Sequence, residues 1–443
     1  MNAMKRILLV LLLLPLWANA QIISLIAGGG TGGDGTPAIS ASINDPGDLA
    51  FDKWGNLYFS EGSNKIRKID TAGIITTIAG TGIAGYNGDN QLATLAQLNG
   101  PNGIAFDTLG NLYITDAYNS RIRKIDITTG IITTFAGNGN PGFSGDSSLA
   151  TAASLNIPNS ICFDKRGNLY IGDDLNYRIR KVNTAGIIAT IIGTGIGGYA
   201  NDSGLATAAE CLPEYSICTD NTGNLYIASG NQIVLKMDTA NIITNIAGDT
   251  SLYIYNGDGI PAIQAHLTPS YLAIDDSGLL YISDALNNRI RKIDANDIIH
   301  TIAGNGTATN TGNGGLADSA TIHSPSGIAF DACGNLYIAN VNSPLIRKVT
   351  FNPSCPDTTT SVNNIPTNQS IHIYPNPAND VLHIDNASTN TQFTISNMLG
   401  MPVLQGVLST GTNSINVSAL PPGLYVLQLM DNGNKKVRKI IKQ

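Results

Sequence analysis

Apolar residues along this chain cluster in short runs set off by turn chemistry. In one stretch, Gly103 to Asp107 is a short apolar run bounded by a turn at Leu109-Gly110. Asn111 to Asp116, Arg121 to Asp126 and Ile131 to Gly137 follow as three more runs, each set off by Gly, Asn, Asp or Thr. Strict alternation of polar and apolar positions is absent, as expected of strands whose two faces are both covered. The pattern predicts four antiparallel strands within about one repeat length.

The repeat is explicit. The tyrosine of the element "GNLY" and its variants falls at Tyr58, Tyr113, Tyr170, Tyr226, Tyr281 and Tyr337, a spacing of 55 to 57 residues. A fixed period of this length means a repeat architecture, and four short strands per unit describe one blade of a β-propeller. The fourth run appears as "IISLIAG", "IITTIAG", "IITTFAG", "IIATIIG", "IITNIAG" and "IIHTIAG", beginning at Ile22, Ile74, Ile131, Ile187, Ile242 and Ile298. The first stands alone before any unit, and the last unit, ending at Arg347-Lys348-Val349, has none. Six outer strands and six three-strand sets match only if the N-terminal strand pairs with the last blade, which closes the ring and removes its open edges. The fold class expected is all-β: a six-bladed propeller closed by an N-terminal outer strand, followed by a small C-terminal β-sandwich.

The ends read differently. Lys5 and Arg6 precede an apolar run from Ile7 to Leu14, and Ala18-Asn19-Ala20 supplies a small-x-small cleavage pattern, so residues 1–20 are expected to be a signal peptide cut between Ala20 and Gln21. That run is too short to span a bilayer, and no later run is long enough. The propeller is assigned to residues 21–355. Residues 356–370, "PDTTTSVNNIPTNQS", are polar and short of apolar residues, as a linker is. From residue 371 to 443, "IHIYPNPANDVLHI" and "LPPGLYVLQL" alternate with Pro and Asn turns, consistent with the sandwich.

Composition narrows the partners. Charged residues make up 13% of the chain, against about 25% in typical soluble domains. With 25 basic and 32 acidic side chains the net charge of −7 offers no footprint for a phosphate backbone, so nucleic acid is not expected as a partner. Five cysteines in an exported chain leave at least one unpaired. Cys162 and Cys218, at equivalent repeat positions on inner strands, read as core thiols. Cys333 and Cys355 lie in loops near the end of the array. A bond between them would close about 20 residues, worth about 3 kcal/mol in the chain-entropy view. Whether they are joined is left open by the sequence.

The motif "GNLYITDAYNSRIRKI", with Asp116 and Asn119, resembles the NHL repeat, and the inter-blade "GYNGDNQLATLAQLNGPNGIAFD" is similar to its longer bacterial and teneurin-type form. The resemblance runs from Ile22 to about Thr350. It departs from the pattern where Glu61, Ser229 and Asn340 replace the strand-end Asp and Leu235 replaces an arginine, changes expected to touch surface detail. At the C-terminus, Tyr374-Pro375-Asn376-Pro377, Gly423-Leu424-Tyr425 and the basic end Lys435 to Lys442 resemble the sorting domain of the type IX secretion system of Bacteroidetes. That resemblance implies export through the periplasm to the cell surface or beyond, with the secretion machinery as a partner.

Candidate chemistry is sparse. Gly80-Thr81-Gly82-Ile83-Ala84-Gly85 fits a dinucleotide fingerprint but recurs at the blade period with no helix after it, so it reads as a turn. The linkers carry Tyr86, Phe143, Tyr199 and Tyr255, expected as fillers beneath the loops. Asp89, Asp146, Asp202 and Asp258 follow them and are expected to cap the short helical turns after them. The ligand ladder of a calcium loop is missing. Lactonase-like propellers hold calcium at the axis with carboxylates and amides, and Asp48, Asn102, Asn159 and Glu214 are expected near that mouth. Two residues after the proline before each inner strand, or at the equivalent place, the units read Asp48, Gly103, Ser160, Ser216, Tyr271 and Gly327. Breaks in the repeat mark Glu214, Tyr215 and Tyr271 as the expected binding edge. The reading favoured is an exported propeller that binds a protein or a glycan, without a resident cofactor. The alternative is a metal-dependent hydrolase or lyase with calcium on the axis.

Overall fold

In this computed structural model, residues 21–200, 203–213, 215–250, 253–351, 372–374, 378–387, 391–397, 402–431 and 434–442 are described. The chain divides into two compact units, Met1–Ser361 and Val362–Gln443. The expected signal peptide and linker, and Asp202, Glu214 and Cys355 among the singled-out residues, lie outside the described residues.

Local sequence sets each hairpin. In the first blade, Asp52 Oδ1 accepts the backbone N–H groups of Trp54 and Asn56 at 2.9 Å each, and Asn56 Nδ2 donates to Asp52 Oδ2 at 2.7 Å. This Asx turn reverses the chain between the inner and second strands, and Asp107, Asp164, Asp220 and Asp331 repeat it with their own Asn. A second Asx turn, built on Asp70, Asp126, Asn183, Asp238 or Asp294, reverses the chain before the outer strand.

Six antiparallel sheets of four or five strands result. We number them as blades by their inner strands: Pro46–Phe51, Pro101–Phe106, Pro158–Phe163, Ser216–Thr219, Pro269–Ile274 and Pro325–Phe330. Each inner strand touches the next, and the sixth touches the first, so the ring is closed. The outer strand of blade 6 is the N-terminal segment Ile22–Gly28, antiparallel to Leu345–Thr350 with Ile23 opposite Val349 and Leu25 opposite Arg347. Ile23 and Ala27 are fully buried in it. Between neighbouring blades the cores are built from the repeat's own Leu, Ile and Tyr, with the "GNLY" tyrosine of one blade meeting a phenylalanine edge-on, as Tyr58 meets Phe106 at 4.9 Å.

The second unit consists of two antiparallel sheets, of three and four strands, that share one core including Leu382, Ile384, Phe393, Ile395, Leu427 and Ile440. No helix among the described residues is long and apolar enough to cross a membrane.

Three expectations for the inter-blade loops are corrected. Asp89 does not cap a helical turn: the short 3-10 turn Ala93–Leu95 has no side-chain cap, and Asp89 instead takes the buried Arg123 at 2.8 Å. Asp146 and Asp258 take Arg180 and Arg291 in the same way. Tyr86, Phe143 and Tyr255 are not fillers beneath their loops. Each lies against a pair of guanidinium groups, Tyr86 at 3.9 Å from Arg121 and 4.9 Å from Arg123. Nor do the departures from the repeat at these positions touch surface detail: Glu61, Ser229, Leu235 and Asn340 are all buried, as are the side chains they stand in for. Asp116, Asp173 and Asp284 are wholly buried, each within 3.3 Å of the same arginine. Burial pushes their carboxyls up, against the hydrogen bonds and the guanidinium that hold them down.

The Gly-x-Gly element is a turn. Gly137 has φ +87°, and a Cβ there would strike the carbonyl oxygen of Ser120 on the preceding hairpin.

Candidate functional site

Five of the six inner strands open with a proline followed by an irregularity in pairing, between Pro46 and Leu49 or Pro269 and Tyr271 for instance. Such a bulge turns the residue after it out of the ladder. The starts of the inner strands converge on a cavity of about 260 Å³ lined by all six of them, with Asp48, which lies within its strand's irregularity, and the ladder residues Ile104, Ser160, Ser216, Tyr271 and Ile328 each contributing from a different blade. At Gly103 the strands run so close that a Cβ would sit 2.9 Å from Ser160 Cα.

Four of the residues expected at the mouth are brought together here. The Tyr271 hydroxyl of blade 5 donates to Asn102 Oδ1 of blade 2 at 2.6 Å, and Asn102 Nδ2 donates to Asn159 Oδ1 of blade 3 at 2.7 Å. Asp48 of blade 1 accepts Leu49 N–H on Oδ1 and Ile104 N–H of blade 2 on Oδ2, both at 2.9 Å. Although part of its surface faces the cavity, protein encloses the carboxylate, and burial pushes its pKa up to about 7 despite those two bonds. Burial, then the nearby charge of Asp48, raises the Tyr271 phenol well above its ordinary value. Ser326 Oγ donates to the Pro46 carbonyl at 2.8 Å and Ser270 Oγ to the Pro325 carbonyl at 3.0 Å, which ties blades 5, 6 and 1.

These groups do not fit an axial calcium ion. Calcium takes six to eight oxygens. Here both Asp48 oxygens and both asparagine oxygens already accept hydrogen bonds within the network. Among the described residues no three His, Cys, Asp or Glu side chains gather as a ligand set. Cys162 on this wall and Cys218 on the neighbouring inner strand are free thiols, and burial pushes both pKa values up, which disfavours the reactive thiolate. Cys211 is also free, and Cys333 is disulfide-bonded. His300 pairs with Asp294 at 3.1 Å and His266 Nδ1 meets the Ile254 carbonyl at 2.9 Å.

Tyr215 is not among the residues lining the axial cavity. It lines a separate cavity between blades 4 and 5 with Tyr253, a residue the repeat pattern did not single out. The available signal was "SLYIY", residues 251–255, standing where blades 2 and 3 have Gly-rich turns.

Comparisons with known proteins follow this geometry. Residues 28–87 and 139–201 match the Teneurin NHL domain, residues 98–125 the NHL repeat, and residues 372–443 the Secretion system C-terminal sorting domain. The chain is 28% identical over 336 residues to Protein SUPPRESSOR OF QUENCHING 1, chloroplastic, of Arabidopsis thaliana, covering 72% of this chain and 32% of that protein. It is 29% identical over 233 residues to human Teneurin-1, covering 47% of this chain and 8% of that one. The matched regions thus span a third or less of these relatives. Among solved structures, an auxiliary nutrient binding protein from Bacteroides thetaiotaomicron aligns with a TM-score of 0.56 at 18% identity, over 74% of this chain and 76% of that one, a likeness of fold. The sorting domain marks the chain for type IX export to the cell surface or outside. The chain is an NHL-repeat β-propeller protein with a C-terminal secretion sorting domain.

Proposed function

We propose that the propeller is a rigid binding platform for an extracellular protein or glycan, delivered by its sorting domain and engaged through the face that carries the long inter-blade loops. The observation that carries this reading is the state of the axis. The carboxylate, amide and phenol groups there join blades: Asp48 holds blade 1 to blade 2, and Tyr271, Asn102 and Asn159 join blades 5, 2 and 3. Rigidity of this kind keeps loops pre-organised and lowers the ordering cost of binding. The lactonase-like alternative needs Asp48, Asn102 and Asn159 free to ligate.

The expected domain limits, with the propeller ending near residue 355 and the sorting sandwich beginning near 371, belong to this proposal. So does the Cys333–Cys355 bond, which would pin the end of the array. The test is elemental analysis of the purified mature chain with thermal melting before and after chelation, together with a capture screen against surface proteins and glycans. A metal-free, chelator-indifferent protein that captures a ligand supports the platform. Stoichiometric calcium whose removal collapses the melting temperature supports the enzyme.

A further inference from the structure

Blade 4 breaks the repeat in three ways, and all three meet in one place. In blades 2, 3 and 5 a buried Asp and a buried Arg brace the loop above them; blade 4 has Ser229 and Leu235 at those positions, both buried, so no ion pair forms there. The entry to its inner strand reads "CLPEYS", residues 211–216, placing Tyr215 where blades 2 and 3 have Asn102 and Asn159. The loop leaving blade 4 carries Tyr253 and Ile254 where the corresponding turns of blades 2 and 3 are small. Tyr215, Ser229 and Tyr253 line a single cavity of about 380 Å³, with Gln232, Ser270 and Leu286 completing its wall. That volume lies within the range of small-ligand sites.

The chemistry of this cavity selects its occupant. None of its described lining residues carries a charge, so among them nothing pairs with a phosphate, a carboxylate or an ammonium group. Tyr215 and Tyr253 are 42% and 54% exposed, presenting flat apolar rings with polar edges. Gln232 Oε1 has under 1 Å² of exposed surface and no hydrogen-bond partner among the described residues, so it is an acceptor whose desolvation is uncompensated. A ligand that stacks on tyrosine and offers neutral hydroxyl groups to the Ser229, Gln232 and Ser270 side chains of the wall suits this cavity. Resting on the platform reading above, we propose that the junction of blades 4 and 5 is a binding site for a neutral sugar ring of a glycan chain.

The full mature chain would be titrated calorimetrically with neutral gluco-, manno-, galacto- and xylo-configured oligosaccharides, and with polygalacturonate as an anionic control. Binding of at least one neutral chain is expected. Tyr215→Ala and Tyr253→Ala should each weaken it about tenfold or more, with Gln232→Ala weakening it as well. Tyr86→Ala, an exposed tyrosine on the regular blade 2, should leave it unchanged. Far-UV dichroism and melting of each variant establish that it folds. No binding by any neutral chain, or binding that both tyrosine variants retain in full, overturns this site. Preference for polygalacturonate overturns it also. In each of those cases capture of a surface protein or of a glycan elsewhere leaves the platform reading standing. Capture of nothing at all removes both.

Discussion

The hydroxyl of Tyr271 reaches 2.6 Å from Asn102 Oδ1, and the two residues belong to blades that face each other across the propeller axis. A single side chain therefore joins opposite walls of the ring. Removing only the hydroxyl isolates the bond. Tyr271→Phe is expected to lower unfolding free energy by roughly 1–2 kcal/mol, since Asn102 Oδ1 loses its donor in an enclosed space. Denaturant unfolding with an unchanged midpoint would show that the bond contributes nothing.

Asp48 gives the axis a pH dependence whose direction is fixed. Its folded pKa, about 7, stands above the ordinary carboxyl value of 3.8. Below about pH 4 both folded and unfolded states hold the proton. Between there and pH 7 only the folded state does, so stability is lost as pH rises through that window, by up to about 4 kcal/mol for a shift of roughly three units. Asp116, Asp173 and Asp284 shift the same way, so the measurement is a difference between two proteins. Asp48→Asn should show a flatter stability curve than the native chain from pH 4 to 7. Parallel curves would mean that Asp48 titrates normally.

The buried arginines invite a double-mutant cycle. Arg123→Leu leaves Asp116 buried without its cation and should cost about 3–5 kcal/mol. Adding Asp116→Ser copies what blade 4 already does with Ser229 and Leu235, where Leu235 packs with Tyr199 in an apolar cluster. The second change should therefore recover about 2 kcal/mol or more. Additive losses in the unfolding cycle would show that the pair is not coupled. Arg347 of blade 6 is a third solution. Its guanidinium is held by Asn313 Oδ1 and by the carbonyls of Thr321 and Thr311, and burial brings its pKa down to about 10.

These contrasts indicate which parts of the molecule the sequence discloses. The strands and the displaced outer strand are legible because a period of 55 to 57 residues and local Asx turns encode them within a few positions. Asp48, Asn102, Asn159 and Tyr271 are found by unit alignment, because equivalent positions at the starts of the inner strands gather around one axis. What they do there is not legible, since Tyr271 and Asn102 lie 169 residues apart. The role of Asp89 is hidden from the sequence for the same reason. Its partner Arg123 is 34 residues on, and proximity along the chain favoured a cap. The pocket beside Tyr215 needs three separate departures to coincide in space, and only Tyr215 stood out alone.

The sorting domain yields a localisation experiment. Deleting residues 372–443 should hold the propeller in the periplasm while leaving its melting temperature unchanged, because its core is built within the first unit. Fractionation that finds the truncated chain outside the cell would refute the export route.

The strand Ile22–Gly28 tests ring closure most directly. It supplies the outer edge of blade 6 through a ladder from Ile22 opposite Thr350 to Gly28 opposite Leu345, and buries Ile23 and Ala27 completely. Its loss would expose the edge of Leu345–Thr350 and uncover Val349 and Ile346, so the damage comes from unpaired backbone groups as well as lost apolar contact. Ile23→Asp places an unpaired charge at the same buried position without altering chain length. Both the deletion of residues 22–28 and Ile23→Asp are expected to cost several kcal/mol, read as a lower melting temperature and faster proteolysis near residue 345. The Ser24→Ala change, at a half-buried position in the same strand, should be nearly silent. If deletion and Ile23→Asp melt with the native protein, the N-terminal strand does not hold the ring closed.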